Sequence, residues 1–81
     1  MLHFWPTMAM DIRRRVGLNL KKYRKQAGFS QEGLAFECGI HRTYVSGVER
    51  GVRNPTVVVL EQIAAPLDIP VSRLLEEIDE G

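Results

Sequence analysis

The residues from Ser30 to Gly51, SQEGLAFECGIHRTYVSGVERG, constrain the fold of this chain more than any other stretch. They spell two short helices joined by a sharp turn. Ala35, Gly39 and Val45 occupy the three positions where such a turn has least freedom. Two helices that cross steeply must approach closely, so the first needs a small side chain, and Ala35 supplies it. The reversal favours a left-handed backbone, which is free of steric penalty only without a Cβ, here at Gly39. Val45, compact and β-branched, fills the crevice behind the turn. Leu34, Cys38, Ile40 and Val48 supply the surrounding buried positions, and the residues between them are mostly polar.

This pattern is that of a helix-turn-helix, a common device for laying a helix in the DNA major groove. On a helix beginning near residue 42, the 3.6-residue period turns Val45, Val48 and Val52 inward, with Tyr44 partly covered. Arg42, Thr43, Ser46, Gly47 and Arg50 fall on the opposite, exposed side. The N-terminal part of such a helix meets the base edges. Arg42 therefore sits where a guanidinium pairs bidentately with guanine O6 and N7, a contact worth roughly 1–3 kcal/mol of discrimination. Thr43 offers a hydroxyl to a base or phosphate and a methyl group to thymine. Ser46 and Gly47 are small, which lets the helix sit deep in the groove. Gln31, at the start of the second helix, joins an amide side chain to the positive end of a helix dipole and so suits a phosphate. Arg53 and Asn54, just past the third helix, suit the same role.

The flanking sequence completes an all-α fold of five short helices. Asp11 is the expected N-cap of a first helix over about residues 12–27, with Ile12, Val16, Leu20, Tyr23 and Ala27 as its apolar stripe and Gly28 as its stop. Ser30 caps the second helix, which runs to about Cys38 and is weakened by Gly33. The third runs roughly from His41 to Arg50. Thr56 caps a fourth through Val57, Leu60, Ile63, Ala64 and Leu67, which Pro66 is expected to end or kink near Ala65. After Pro70, a short fifth helix places Val71, Leu74, Leu75 and Ile78 on one face, followed by an acidic tail expected to fray. Residues 1–10 form an N-terminal extension and residues 11–81 the single domain.

Net charge is only +1, but it is unevenly distributed. Residues 1–54 carry ten Lys/Arg against four acids, and residues 55–81 carry Arg73 against six acids. Such segregation orients a protein on a polyanion, although two ordinary solvated faces would look the same. The single cysteine excludes an internal disulfide and fits a reducing compartment. No apolar run approaches the roughly 20 residues of a membrane span. The opening MLHFWPTMAM lacks a basic start and is broken by Pro6, so the expected location is cytoplasmic. Cys38 at a buried motif position reads as a small core hydrophobe. His3, His41 and Cys38 have no metal-ligand spacing, so neither metal nor other cofactor is expected. No nucleophile–base constellation or phosphate-binding loop is apparent, and an enzyme is not expected.

Over about residues 12–76 the chain resembles the phage-repressor/Cro class of helix-turn-helix proteins, a lambda-repressor-like domain whose second and third helices form the motif. The resemblance rests on Arg24, GFSQ (28–31), LA (34–35), G (39), VERG (48–51), RNP (53–55) and LL (74–75). Within the class, HRTYVSGVERGVRNPT (41–56) is similar to the controller proteins of bacterial restriction–modification systems, small dimers that control their own operon and the endonuclease gene. The resemblance implies that Arg42, Thr43 and Ser46 face base edges and that Tyr44 lies at the groove margin. It further implies that Gln31 and Asn54 hold phosphates and that Arg24 and Glu49 form an interhelical ion pair. In activating members an acid at the position of Glu32 touches the polymerase sigma subunit. The chain departs from the class at Gly33, at Pro66 and Asp68, and at Val58 and Val59. These last are either tolerated surface valines or part of a dimer interface with Leu67, Ile69 and Leu74. A symmetric dimer would space its reading helices about 34–36 Å apart on an inverted repeat. The first ten residues are a mobile arm, a patch packing on the dimer through Phe4 and Trp5, or upstream sequence from an early start codon.

The leading expectation is a dimeric, sequence-specific transcriptional regulator of double-stranded DNA with no small-molecule ligand. The competing one is an antitoxin-like module that binds a protein through the exposed valines and acidic C-terminal third, and also binds its own promoter.

Overall fold

Asp11 caps the first helix. In the computed structural model, which describes residues 11–78, its carboxylate accepts from the backbone N–H of Arg13 at 2.8 Å, and α1 runs over Ile12–Gln26. The extension over residues 1–10 lies outside the described residues. Gly28, at φ +81°, turns the chain away from α1. Ser30 then caps α2 (Gln31–Cys38), its hydroxyl accepting from the Gly33 N–H at 2.8 Å. Gly39 adopts the left-handed conformation at φ +70°. The N–H groups of Gly39 and Ile40 return to the carbonyls of Phe36 and Ala35, closing a turn that leaves no slack before α3 (Arg42–Glu49). Thr56 caps α4 (Val57–Leu67) through the Val59 N–H at 3.1 Å.

Three expectations about the C-terminal half are corrected. Pro66 does not end α4, which continues through it to Leu67. It stands in the last turn, where its missing donor removes one bond instead of interrupting a continuing ladder. Asp68 closes the helix at φ 57°, with its N–H on the Ala65 carbonyl and that of Ile69 on Ala64. Aspartate tolerates this left-handed geometry better than most side chains. The fifth helix is a 3-10 helix, Val71–Leu75. With three residues per turn its apolar stripe breaks up. Leu74 is fully buried, Val71 and Ile78 half-buried, and Leu75 exposed. Val57, expected on the inner stripe of α4, is 76% exposed, and the core contribution of that helix begins at Leu60.

α1 packs on α3 and on the 3-10 helix, while α2 packs on α3 and α4. Their shared core holds Leu20, Leu34, Val45, Val48, Ile63 and Leu74 essentially free of water. Each such side chain contributes roughly 1.5–3 kcal/mol of transfer free energy. Gly17 permits the closest approach. A Cβ there would fall on the carbonyl oxygens of Val48 and Glu49, the latter at 2.6 Å, so α1 lies directly against the end of α3. Asn19, buried to 1% exposure, holds the C-terminal segment. Its amide donates to the Leu74 carbonyl at 3.0 Å and the Glu76 carbonyl at 2.8 Å. The Tyr23 hydroxyl adds a bond to the Glu76 carboxylate at 2.6 Å. The segment before the acidic tail is thus tied to α1 as far as Glu76. Among the described residues no helix is long and apolar enough to cross a membrane.

Candidate nucleic-acid interface

The inner side of α3 is fixed along its length. Val45 and Val48 are fully buried, and Glu49, the last helical residue, collects donors from two other elements. Arg24 of α1 grips the Glu49 carboxylate with two nitrogens, Nη2 at 3.0 Å and Nε closer, and donates from Nη1 to the Phe29 carbonyl at 2.9 Å. Gln31 of α2 donates its amide to the same carboxylate at 3.0 Å. The expected Arg24–Glu49 ion pair is therefore present and nearly dry, with side-chain exposures of 9% and 4%. Gln31 lies beside it, so its amide N–H is committed inward, a partner that its place at a helix start did not reveal.

The outer side begins with Arg42 and Thr43, both exposed in the first turn of α3. His41 caps that turn. Its Nδ1 accepts from the Thr43 N–H at 3.1 Å and lies 2.8 Å from the Thr43 hydroxyl. One turn on, Ser46 is half-buried and its hydroxyl accepts from Nε of the exposed Arg50 at 3.3 Å. Arg53 folds back over the helix, its guanidinium 5.4 Å from the centre of the half-buried Tyr44 ring. That spacing is within cation–π range.

Gly47 is placed differently from the sequence expectation. It is buried, not open to a groove, because Arg53 covers it, and a Cβ would meet Arg53 Cγ at 2.5 Å. Its missing side chain makes room for a neighbour within the chain. Val52 also departs from its expected inward position and is 61% exposed. The helix ends at Glu49, and the left-handed turn at Gly51 swings Val52 out of the period. Asn54 is exposed just beyond Arg53.

A model of the helix-turn-helix family matches residues 20–74, the whole of this arrangement. The chain belongs to that family. Helix-turn-helix relatives include the control protein C.MunI of a Mycoplasma species, 44% identical over 86% of this chain and 96% of its own length. The transcriptional regulator SinR of Bacillus licheniformis is 41% identical over 80% of this chain, which spans only 60% of that protein. A SinR structure solved in complex with DNA matches 75% of this chain and 98% of its own, with a TM-score of 0.72 and 39% identity. The restriction–modification controller protein C.AhdI from Aeromonas hydrophila matches 76% of this chain and 94% of its own, with a TM-score of 0.74 and 44% identity.

Two of the dimer candidates of this helix-turn-helix chain are core residues. Leu67 is 6% exposed and Leu74 not at all, because both are already buried among α1, α4 and the 3-10 helix. Val59 and Ile69 are half-buried against the same core, and Val58 is 64% exposed. Cys38 is buried in the core, where desolvation and the nearby Glu37 charge push its thiol pKa up, so it stays protonated. Sequence reasoning missed Phe36, which is 83% exposed on α2, four residues from the exposed Glu32. The signal was available: Leu34, Ala35 and Cys38 take the inner side, so the helical period turns Phe36 outward.

Proposed function

We propose that this chain is a sequence-specific transcriptional regulator that binds operator DNA as a homodimer, of the kind represented by restriction–modification controller proteins. The observation that carries this reading is the asymmetry of α3. Its inner side is locked by Val45, Val48 and the Glu49 ion pair, while Arg42 and Thr43 stand exposed at its N-terminal end. A rigid helix with an exposed guanidinium at that end suits base reading in the major groove. Arg50, Arg53, Tyr44 and Asn54 then serve the groove margin and backbone, with Ser46 one turn further along the base edges. Gln31 acts on phosphate through its helix-start position, since its side-chain amide is engaged by Glu49.

With Leu67 and Leu74 in the core, the dimer surface reduces to Val58 with the edges of Val59 and Ile69, beside the exposed Val57. A symmetric pair would bind an inverted repeat. Contact with the polymerase sigma subunit fits the exposed Glu32, with Phe36 beside it as an apolar anchor. Glu32→Ala should then abolish activation and spare DNA binding, and loss of both refutes it.

Selection of sites from a random duplex library, with Arg42→Ala in parallel, tests the main reading. It should enrich an inverted repeat, and the variant should lose preference at one position per half-site. Weak, salt-sensitive binding with no enriched motif overturns it. Sedimentation of the chain as a monomer alone at micromolar concentration overturns the dimer.

A further inference from the structure

We infer that His41 fixes which way the Thr43 hydroxyl faces, and so makes Thr43 a reader of base amino groups. The inference rests on the proposed operator reading and specifies one of its contacts. Neither residue alone determines this outcome; the two distances between them do.

The Thr43 backbone N–H lies 3.1 Å from His41 Nδ1 and donates to it. This N–H belongs to the first turn of α3, where backbone donors have no partner within the helix. It can donate to Nδ1 only if that nitrogen carries a lone pair, so the neutral ring holds its proton on Nε2. The Thr43 Oγ1 stands 2.8 Å from the same Nδ1. Because Nδ1 has no hydrogen to give, the hydroxyl is the donor in that contact and shares the single Nδ1 lone pair with the Thr43 N–H. Its proton points back at the cap, and only oxygen lone pairs face outward from an exposed side chain.

The consequence for recognition is directional. A free threonine hydroxyl accepts or donates with equal ease and pairs with any base edge. Thr43 held by His41 accepts only. The donors available in the major groove are the adenine N6 and cytosine N4 amino groups, whereas guanine O6, N7 and thymine O4 are acceptors. Every base pair carries one such amino group, so the enriched sequence by itself is silent on the point. Removing the amino group is not.

The experiment begins from the selected operator and the base pair whose preference is lost in Thr43→Val, which keeps the shape and discards the hydroxyl. At that pair the amino group is deleted, with purine deoxyriboside for dA or 2-pyrimidinone deoxyriboside for dC. In separate duplexes the purine N7 is deleted with a 7-deaza base. Affinity is measured for the wild type, Thr43→Val, His41→Asn and His41→Ala. Asparagine caps helices well and offers one carbonyl oxygen to both hydrogens without adding charge.

Amino deletion should weaken the wild type and His41→Asn by about three- to tenfold. The same deletion should leave Thr43→Val unchanged, which also subtracts any effect on the duplex itself. N7 deletion should be neutral for the wild type and become harmful in His41→Ala, where the hydroxyl is released. Circular dichroism confirms that each variant is folded; if His41→Ala is not, the other three proteins still decide. A wild type indifferent to amino loss but weakened by N7 loss overturns the inference, as does a Thr43→Val variant that keeps every preference. If the wild type selects no operator at all, the proposed function fails first, and the two failures are distinct.

Discussion

Gly17→Ala should unfold this protein more readily even though alanine is the better helix former. Position 17 is inside α1, where replacing glycine gains about 1 kcal/mol of propensity. Against that, the new methyl group would land on the carbonyl oxygens of Val48 and Glu49. Overpacking of this kind costs about 1–3 kcal/mol when side chains can adjust. Here the obstacles are backbone atoms at the end of α3, so the whole helix must retreat. Retreat also stretches the Arg24–Glu49 contact, which spans the same two helices. The net expectation is a loss of about 2 kcal/mol, or about 8–16 °C in Tm for a domain of this size. Thermal and urea unfolding followed by circular dichroism measures it. Gly33→Ala in α2 is the matched control. There the nearest atoms to a new Cβ are Ser30 Oγ at 3.1 Å and Phe29 Cδ1 at 3.7 Å, both on side chains. The gain of about 1 kcal/mol in propensity is partly offset because the new Cβ presses on the Ser30 hydroxyl that caps α2, so the Tm of this variant should stay close to the parent's. A Gly17→Ala protein that melts at or above the parent would refute the reasoning.

Other perturbations follow from particular contacts. Gly47→Ala should lower Tm modestly, because the Arg53 side chain must move from its Cγ outward, and should weaken operator binding several-fold, because that movement displaces Arg53 from its place over Tyr44; equal operator affinities would contradict this. Tyr23→Phe should reduce acid sensitivity. The Tyr23 hydroxyl, followed by Arg73, holds the Glu76 carboxyl below its ordinary value of 4.5. The stability from this contact is therefore fully present above pH 4.5 and lost as pH falls through the depressed native value. The two proteins' urea midpoints should converge as the pH drops through that window, and a constant gap would refute the linkage. Arg24→Ala should cost about 3–5 kcal/mol, since it leaves Glu49 buried without its cation. A urea midpoint within error of the parent would show that water takes the place of the arginine.

The turn and the caps were legible in the chain because each depends on local chemistry, whereas the ion pair, between residues on different helices, was legible through the resemblance. Gly39 has the left-handed backbone that the reversal requires, and Asp11, Ser30 and Thr56 cap the helices they precede. The misplacements arise where the outcome depends on what lies across the fold. Gly47 has the same spacing whether it faces a groove or Arg53, and only the path of the chain after Gly51 decides. Leu67 and Leu74 look like interface residues on isolated helices, but in the fold both are buried in the shared core. Asn19 gives no signal at all in one dimension. Its partners are the Leu74 and Glu76 carbonyls, more than fifty residues away. Phe36 and the His41–Thr43 pair were readable in principle. The first needed the helical period applied to an apolar residue, and the second needed histidine to be considered as a cap.

The convergence on Glu49 bears on why a buried ion pair is present in so small a core. Such a pair commonly adds little stability over apolar residues of similar volume. Its distinctive property here is geometric. Arg24 reaches Glu49 and the Phe29 carbonyl together, and Gln31 reaches Glu49, so α1, the loop before α2 and α2 itself all register against the last residue of α3. Apolar replacements can fill the space but cannot fix an angle. Combining Arg24→Met with Glu49→Leu should therefore recover most of the stability lost in Arg24→Ala while leaving α3 less well oriented. Affinity for random duplex should persist, since the exposed basic residues remain, and preference for the selected operator should fall about tenfold or more. Titrations of both duplexes at one salt concentration measure the ratio. A stable double variant that keeps the parent's operator preference would show that the ion pair holds the fold together without orienting α3, the helix proposed to read DNA.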